Sequence, residues 1–101
     1  MKKVISSPLA PAAIGPYSQA TEAAGLVFVS GQLPIDTATG DMPEGIEAQA
    51  RQSLLNIQHI LEAAGINMSH IVKTTVYLQD MSLFGSMNSV YATFFEGDYP
   101  A

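Results

Sequence analysis

The sequence predicts an α+β fold, in which a small sheet carries two helices on one of its faces. Three observations lead to this prediction. Short β-prone runs fill the first third of the chain, two segments with helical apolar spacing follow, and a further β-prone run separates those two segments. A sheet with its helices gathered on one face is one of the few layer arrangements that bury the apolar side of every element.

The first third of the chain is predicted to hold three short strands. Residues 3–6 form the first strand, and Ser18 to Ala24 and Leu26 to Ser30 form the next two around a turn at Gly25. Leu26-Val27-Phe28-Val29 is continuously apolar, which predicts a strand buried on both faces. A loop rich in proline separates the first two strands, and it is stiff because each proline fixes φ and lacks an N–H donor.

The next part of the chain is predicted to form a helix and then a strand. From about Ile46 to Ala64 apolar residues recur every three or four positions, which is the stripe of an amphipathic helix. Gly65 ends this helix, because glycine readily takes the left-handed conformation found after a last helical turn. Ile71 to Gln79 alternates side chains between two faces, as a strand does.

A second helix is predicted near the end of the chain. Asp80 or Ser82 can cap its first turn with a side-chain oxygen, and the helix is expected to run to about Glu96. Its buried stripe is predicted to consist of Phe84, Met87, Tyr91 and Phe94.

Composition predicts one small domain, residues 1–101, that associates with other copies. Hydrophobic residues make up 48% of the chain and charged residues only 13%, about half of the roughly 25% charge content that is usual in soluble domains. A chain of this length cannot bury so much apolar surface alone, so part of it is expected to face another subunit. The alternative is a well-filled core.

Charge and cysteine content exclude several classes of function. The net charge of −5, with only four scattered basic residues, argues against a nucleic acid partner, which requires clustered lysine and arginine. The absence of cysteine excludes disulfides, thiolate nucleophiles and Cys-ligated zinc. Pro8 and Pro11 interrupt the N-terminal apolar stretch before a signal sequence could form, and no run approaches the roughly 20 apolar residues of a membrane span. The expected location is the cytoplasm, with no membrane partner.

Two polar positions stand out as candidates for a binding site. Tyr17 ends the loop rich in proline, and Ser30-Gly31-Gln32 interrupts an apolar run. Hydroxyl groups held on rigid backbone next to a glycine are what a pocket for a small polar ligand needs. The alternatives are structural, since a tyrosine can anchor a loop through its hydroxyl and a serine can satisfy the backbone at a strand end.

The remaining polar candidates carry less information. Asn88 lies inside the second predicted helix, where asparagine is unfavourable, so a binding role and a solvated helix face both stay open. His59 and His70 are expected to fill surface or capping roles, because neither has a second ligand at metal-binding spacing.

Several segments together closely resemble the RidA/YjgF family, and the resemblance runs in order along the whole chain. They are Ala12-Ala13-Ile14-Gly15-Pro16-Tyr17-Ser18-Gln19-Ala20, Ser30-Gly31-Gln32-Leu33-Pro34, Thr39-Gly40, Gln49-Ala50-Arg51-Gln52-Ser53-Leu54-Leu55-Asn56-Ile57, Ala63-Ala64-Gly65, Ile71-Val72-Lys73-Thr74-Thr75-Val76-Tyr77-Leu78 and Asn88-Ser89-Val90-Tyr91-Ala92-Thr93-Phe94-Phe95. The resemblance implies a chorismate-mutase-like α+β fold with a mixed β-sheet, a homotrimer, and a pocket in each cleft between subunits.

The same resemblance implies a reaction. Members of the family hydrolyse reactive imines and enamines, such as 2-aminoacrylate and 2-iminobutyrate, to 2-keto acids and ammonia, without a cofactor or a metal. Carried over by position, Tyr17 and Ser30 would be catalytic, while Gly31 and Asn88 would contact the substrate. A non-catalytic module that binds small acids in the same cleft is the alternative, and RNA cleavage is a third reading that rests only on older descriptions of the family.

The resemblance also concerns the end of the chain. The family pattern continues past Tyr99-Pro100-Ala101 with an arginine that clamps the substrate carboxylate and with two further strands. The chain is therefore expected to be a truncated form of the domain, lacking the C-terminal strands and that arginine.

Overall fold

The computed structural model describes residues 1–101 and confirms the α+β class. Three strands come first: β1 (Lys3–Ile5), β2 (Ala20–Ala23) and β3 (Leu26–Val29). Two helices follow, α1 (Ile46–Ala63) and α2 (Phe84–Ala92), with single 3₁₀ turns at Met68–His70 and Met81–Leu83. None of the helices combines the length and the apolar character that a membrane crossing requires.

The sheet is antiparallel in the order β1-β2-β3. β2 and β3 form the predicted hairpin, whose two turn residues, Ala24 and Gly25, have φ values of 54° and 77°. Two successive positive φ angles give the turn type whose twist matches that of the flanking strands. The resemblance implied a mixed sheet, whereas the three paired strands here are all antiparallel.

One face of the sheet packs against α1. Ile5, Ala20 and Val29 lie opposite one another across the three strands, and the fully buried Ile60 of α1 packs against this row. Leu54, Leu61 and Met68 form the neighbouring part of the core, which also receives side chains from α2 and the segment after it. Both helices therefore lie on the same side of the sheet.

The other face of the sheet is uncovered in the single chain. Val4, Thr21 and Phe28 lie opposite one another on it, and Leu26 and Phe28 are 51% and 58% exposed. The prediction that Leu26–Val29 is buried on both faces is therefore wrong for the chain taken alone. A continuous apolar run predicts that both faces of the strand are buried, but only one face packs against a helix of the same chain.

The end of α1 follows the prediction closely. Gly65 has a φ of 79°, its N–H donates to the Glu62 carbonyl, and the next N–H, of Ile66, donates to the Leu61 carbonyl. These two bonds satisfy helical carbonyls that would otherwise lack partners, which is the Schellman arrangement.

The prediction of a strand over Ile71–Gln79 is wrong, since the structure assigns no strand there and the segment does not join the sheet. The Ile71 N–H donates to the Met68 carbonyl at 3.2 Å. Further along, the segment pairs with Ala101 in a parallel arrangement: the Ala101 N–H donates to the Val72 carbonyl at 3.0 Å, and the Thr74 N–H donates to the Ala101 carbonyl at 2.8 Å. The Thr74 hydroxyl also contacts the Tyr91 hydroxyl at 2.7 Å, which ties the segment to α2. An alternating pattern requires a strand-like backbone, but a ladder also requires a neighbouring strand.

The second helix is shorter than predicted. Asp80 does cap this region, since its carboxylate accepts from the Ser82 N–H at 2.8 Å, but a 3₁₀ turn precedes α2 and the helix ends at Ala92 rather than at Glu96. The N–H groups of Phe94 and Phe95 then bond three residues back, as in a turn. Phe84 was predicted in the buried stripe and is instead 48% exposed.

Candidate functional site

Tyr17 stands at the end of the irregular segment between β1 and β2. Its N–H donates to the Gly15 carbonyl at 2.8 Å, which closes a tight turn. A β-carbon at Gly15 would lie 3.4 Å from the Tyr17 ring, so the ring rests against the glycine backbone. The side chain is 52% exposed. The turn thus fixes the backbone of Tyr17, while its half-exposed side chain is accessible to a ligand.

Gln19 anchors the segment that leads to Tyr17. It is buried, with an exposed fraction of only 5%. The side-chain oxygen accepts from the Ser7 N–H at 2.6 Å, and the amide nitrogen contacts the carbonyls of Ser7, Ala10 and Pro11 at 3.2, 3.3 and 2.7 Å. One amide therefore satisfies the backbone of a loop in which the prolines supply no N–H groups.

Ser30 directly follows β3 and lies beside the segment that carries Tyr17. Its N–H donates to the Gln19 carbonyl at 2.9 Å, and its hydroxyl donates to the Ser18 carbonyl at 2.6 Å. These bonds fix the Ser30 side chain next to the chain that carries Tyr17. Because its hydrogen is engaged, the Ser30 oxygen is oriented to act as an acceptor toward a ligand.

Tyr17 and Ser30 line a common cavity of about 370 Å³ on the uncovered face of the sheet. We call it the Tyr17–Ser30 cavity. Its wall also includes Thr21 and Phe28, and Lys2 is the one charged residue among the lining side chains. A second, larger cavity of about 600 Å³ lies on the other side of Tyr17, under the loop that Gln19 anchors, and has no charged lining residue.

The structure does not bring all four candidate residues together. Gly31 follows Ser30 but is exposed and faces open space, and it is not among the lining residues of the cavity. Asn88 lies on α2, is exposed, and lines neither cavity. Within one chain, the site therefore consists of Tyr17 and Ser30.

Asn56 is a further polar residue that the sequence analysis did not single out. It is fully buried on α1, and its amide nitrogen donates to the carbonyls of Leu33 and Ile35 at 3.0 and 3.1 Å. Its oxygen accepts from Gln52 at 2.9 Å. Asn56 thereby fixes the irregular segment that follows Ser30. In the sequence, Asn56 stands directly between the apolar residues Leu55 and Ile57, and this position indicates a buried polar side chain.

The two histidines lie outside the site, as predicted. The Nδ1 atom of His59 contacts the Leu9 carbonyl at 3.1 Å, and the Nδ1 atom of His70 accepts from the Asn67 N–H at 3.2 Å as part of a capping box. No group of three or more His, Asp or Glu side chains converges in a way that could hold a metal ion.

The chain is similar to several known proteins along its whole length. The family model described as Endoribonuclease L-PSP matches residues 7–101. A mouse protein named 2-iminobutanoate/2-iminopropanoate deaminase is 47% identical over 102 residues, which cover all of this chain and 76% of the relative. An Escherichia coli K12 protein of the same name is 46% identical over 95 residues, covering 94% of this chain and 74% of the relative.

The chain belongs to the RidA/YjgF family. A solved relative extends the agreement to three dimensions: TdcF from E. coli, crystallised with bound serine, superposes with a TM-score of 0.94 at 41% identity over 98% of this chain and 80% of that one. In this RidA/YjgF chain, the Tyr17–Ser30 cavity brings the two candidate hydroxyl residues to one place.

Proposed function

We propose that the chain is a hydrolase that deaminates 2-imino acids and their enamine forms, such as 2-iminobutanoate and 2-iminopropanoate, to 2-keto acids and ammonia. The observation that carries the proposal is the pairing of Tyr17 and Ser30 in one cavity, each held by backbone bonds. The names of the mouse and E. coli relatives supply the substrate class.

The residues of the cavity suit this chemistry. Water adds to the imine carbon, a proton moves to the nitrogen, and the resulting carbinolamine releases ammonia to leave the keto group. In our proposal, the Tyr17 hydroxyl hydrogen-bonds the attacking water or the substrate, and the Ser30 oxygen accepts a hydrogen bond from the substrate nitrogen or the water. Gly31 and Asn88 remain proposed substrate contacts, with no cofactor required.

We propose further that the working form is a homotrimer whose sites are completed between subunits. The support is physical: the cavity opens on the uncovered face of the sheet, where Val4, Leu26 and Phe28 are all more than half exposed. Monomeric proteins rarely leave such a patch in water. A cytoplasmic location is part of the same proposal, and a nucleic acid partner is not, because a net charge of −5 opposes binding to phosphates.

The test is an ammonia-release assay with 2-iminobutanoate generated in place by a threonine dehydratase. The protein should accelerate release, and Tyr17→Phe should lower kcat/KM by about 100-fold, the usual cost of losing a positioned proton donor or acceptor. Tyr91→Phe is the matched control. It also removes a hydroxyl, one bonded to Thr74, so it should lower the melting temperature while kcat/KM is kept.

Two results would contradict the proposal. One is a wild-type protein that leaves the rate of ammonia release unchanged. The other is a Tyr17→Phe variant with unchanged kcat/KM and a lower melting temperature, which would make Tyr17 a packing residue.

A further inference from the structure

Two irregular segments carry the site, and each is held by one buried side-chain amide. The segment that ends in Tyr17 is fixed by Gln19, through the Ser7 N–H and three carbonyls. The segment that begins with Ser30 is fixed by Asn56, through the carbonyls of Leu33 and Ile35. Neither amide lines the Tyr17–Ser30 cavity.

We propose that Gln19 and Asn56 are positioning residues, which set the separation and orientation of Tyr17 and Ser30 without touching the substrate. This inference rests on the proposed function for its kinetic test, although the geometry on which it is based does not. It goes beyond the family resemblance, which gave no role to either amide.

The network makes Gln19 the more direct of the two. Its side chain holds the loop on one side, while its backbone carbonyl accepts from the Ser30 N–H at 2.9 Å. The neighbouring Ser18 carbonyl accepts from the Ser30 hydroxyl. One residue therefore links the loop, the chain next to Tyr17, and Ser30. A shift of this residue changes the distance between the two proposed catalytic groups.

The chemistry of an amide is essential to this role. The amide nitrogen of Gln19 supplies both hydrogens to carbonyl oxygens, and the nitrogen of Asn56 does the same. A carboxylate of nearly identical shape supplies none and meets these carbonyls with repulsion. Burial raises the pKa of such a carboxyl, so at low pH it is protonated and recovers one donor. Gln19→Glu and Asn56→Asp should thus show a dependence on pH that the wild type lacks.

The experiment compares Gln19→Glu, Asn56→Asp and the control Gln79→Glu, whose parent residue is exposed, at about pH 5 and about pH 8. Activity is divided by the folded fraction from circular dichroism. Because a misplacement of about 1 Å can cost on the order of 100-fold in rate, we expect kcat of the first two variants to fall at least tenfold relative to wild type at the higher pH. At the lower pH kcat should recover, and KM should change less than kcat.

A readout independent of activity separates this inference from the proposed function. Hydrogen exchange of the Ser7 amide, which donates to Gln19, should speed up in Gln19→Asn, a shorter amide that cannot reach the same partners and adds no charge. Exchange of the Thr21 and Phe28 amides, which face each other across the sheet, should be unchanged. A wild type without deaminase activity would overturn the proposed function but leave this exchange result standing.

The positioning role is overturned if activity per folded molecule, relative to wild type, is the same at both pH values in Gln19→Glu and Asn56→Asp. It is also overturned if both behave as Gln79→Glu does. If Gln19→Glu fails to fold, Gln19→Asn decides the matter by its kcat together with the exchange of the Ser7 amide.

Discussion

Replacing Lys2 by glutamine tests how the proposed substrate, an anion, enters an acidic protein. The chain carries a net charge of −5, and Lys2 is the one charged residue that lines the Tyr17–Ser30 cavity. Lys3 is its neighbour, but successive side chains of a strand point to opposite faces. Lys3 lies opposite Glu22 of β2, on the other face of the sheet. Lys3→Gln is therefore a matched control with the same change in charge.

The expected magnitude follows from the exposure of Lys2. An ion pair in contact with water contributes only about 0.2–1 kcal/mol, so the loss of the Lys2 ammonium should raise KM for a 2-imino acid by about 1.5- to 5-fold. The value of kcat should stay close to that of wild type, because the carboxylate is bound equally in the ground state and the transition state. Lys2→Arg keeps the charge and should keep KM.

The assay is steady-state ammonia release at low and high ionic strength. At about 1 M salt the Debye length shrinks to about 3 Å, and the difference in KM between Lys2→Gln and wild type should shrink with it. Equal KM values for Lys2→Gln and Lys3→Gln at low salt would refute the reasoning, as would a difference that is insensitive to salt.

The fold was predictable wherever local chemistry decides the backbone. The spacing of apolar residues predicts α1, and the glycines at 25 and 65 predict a hairpin turn and a helix end. Each feature depends on residues close together in the chain, and all three are confirmed. The segment Ile71–Gln79 shows the limit of this approach. Its alternation predicts a strand, and the structure has none there, because pairing depends on which strand lies beside it, and that is not a local property of the sequence.

The residue types of the site were predictable from the sequence, but the hydrogen bonds that hold those residues in place were not. Tyr17 and Ser30 are recognisable because hydroxyls next to glycine and proline suit a pocket, and the structure places both in one cavity. The sequence gives no such signal for Gln19 and Asn56, because their partners are backbone groups up to 23 residues away. Asn88 shows the opposite case: it was singled out by residue type, yet in the single chain it is exposed on α2, so its role depends on what meets that surface.

Two further predictions concern stability and assembly. The Ser82 N–H and hydroxyl, as hydrogen-bond donors, hold the pKa of the Asp80 carboxyl below its usual range. The stabilisation from this cap is complete above the pKa that Asp80 has in the unfolded chain, and it is lost as the pH falls through the lower pKa of the folded state. The urea midpoint of Asp80→Asn should therefore approach that of wild type only in strong acid. Urea midpoints of the two proteins that differ by the same amount at every pH would contradict this. For assembly, sedimentation of the wild type should give the proposed trimer, three times the chain mass of 10.7 kDa, and Phe28, 58% exposed on the uncovered sheet face, should lie in its interface. Phe28→Lys places a charge at the centre of that face, where an unpaired charge is costly to bury, and it should shift the protein to smaller species. Met42→Lys, a change of the same kind in an exposed loop, should leave the trimer intact. A monodisperse wild-type monomer at micromolar concentration, with Phe28 facing water, would show that the sheet needs no cover and that the cavity functions, if at all, within one chain.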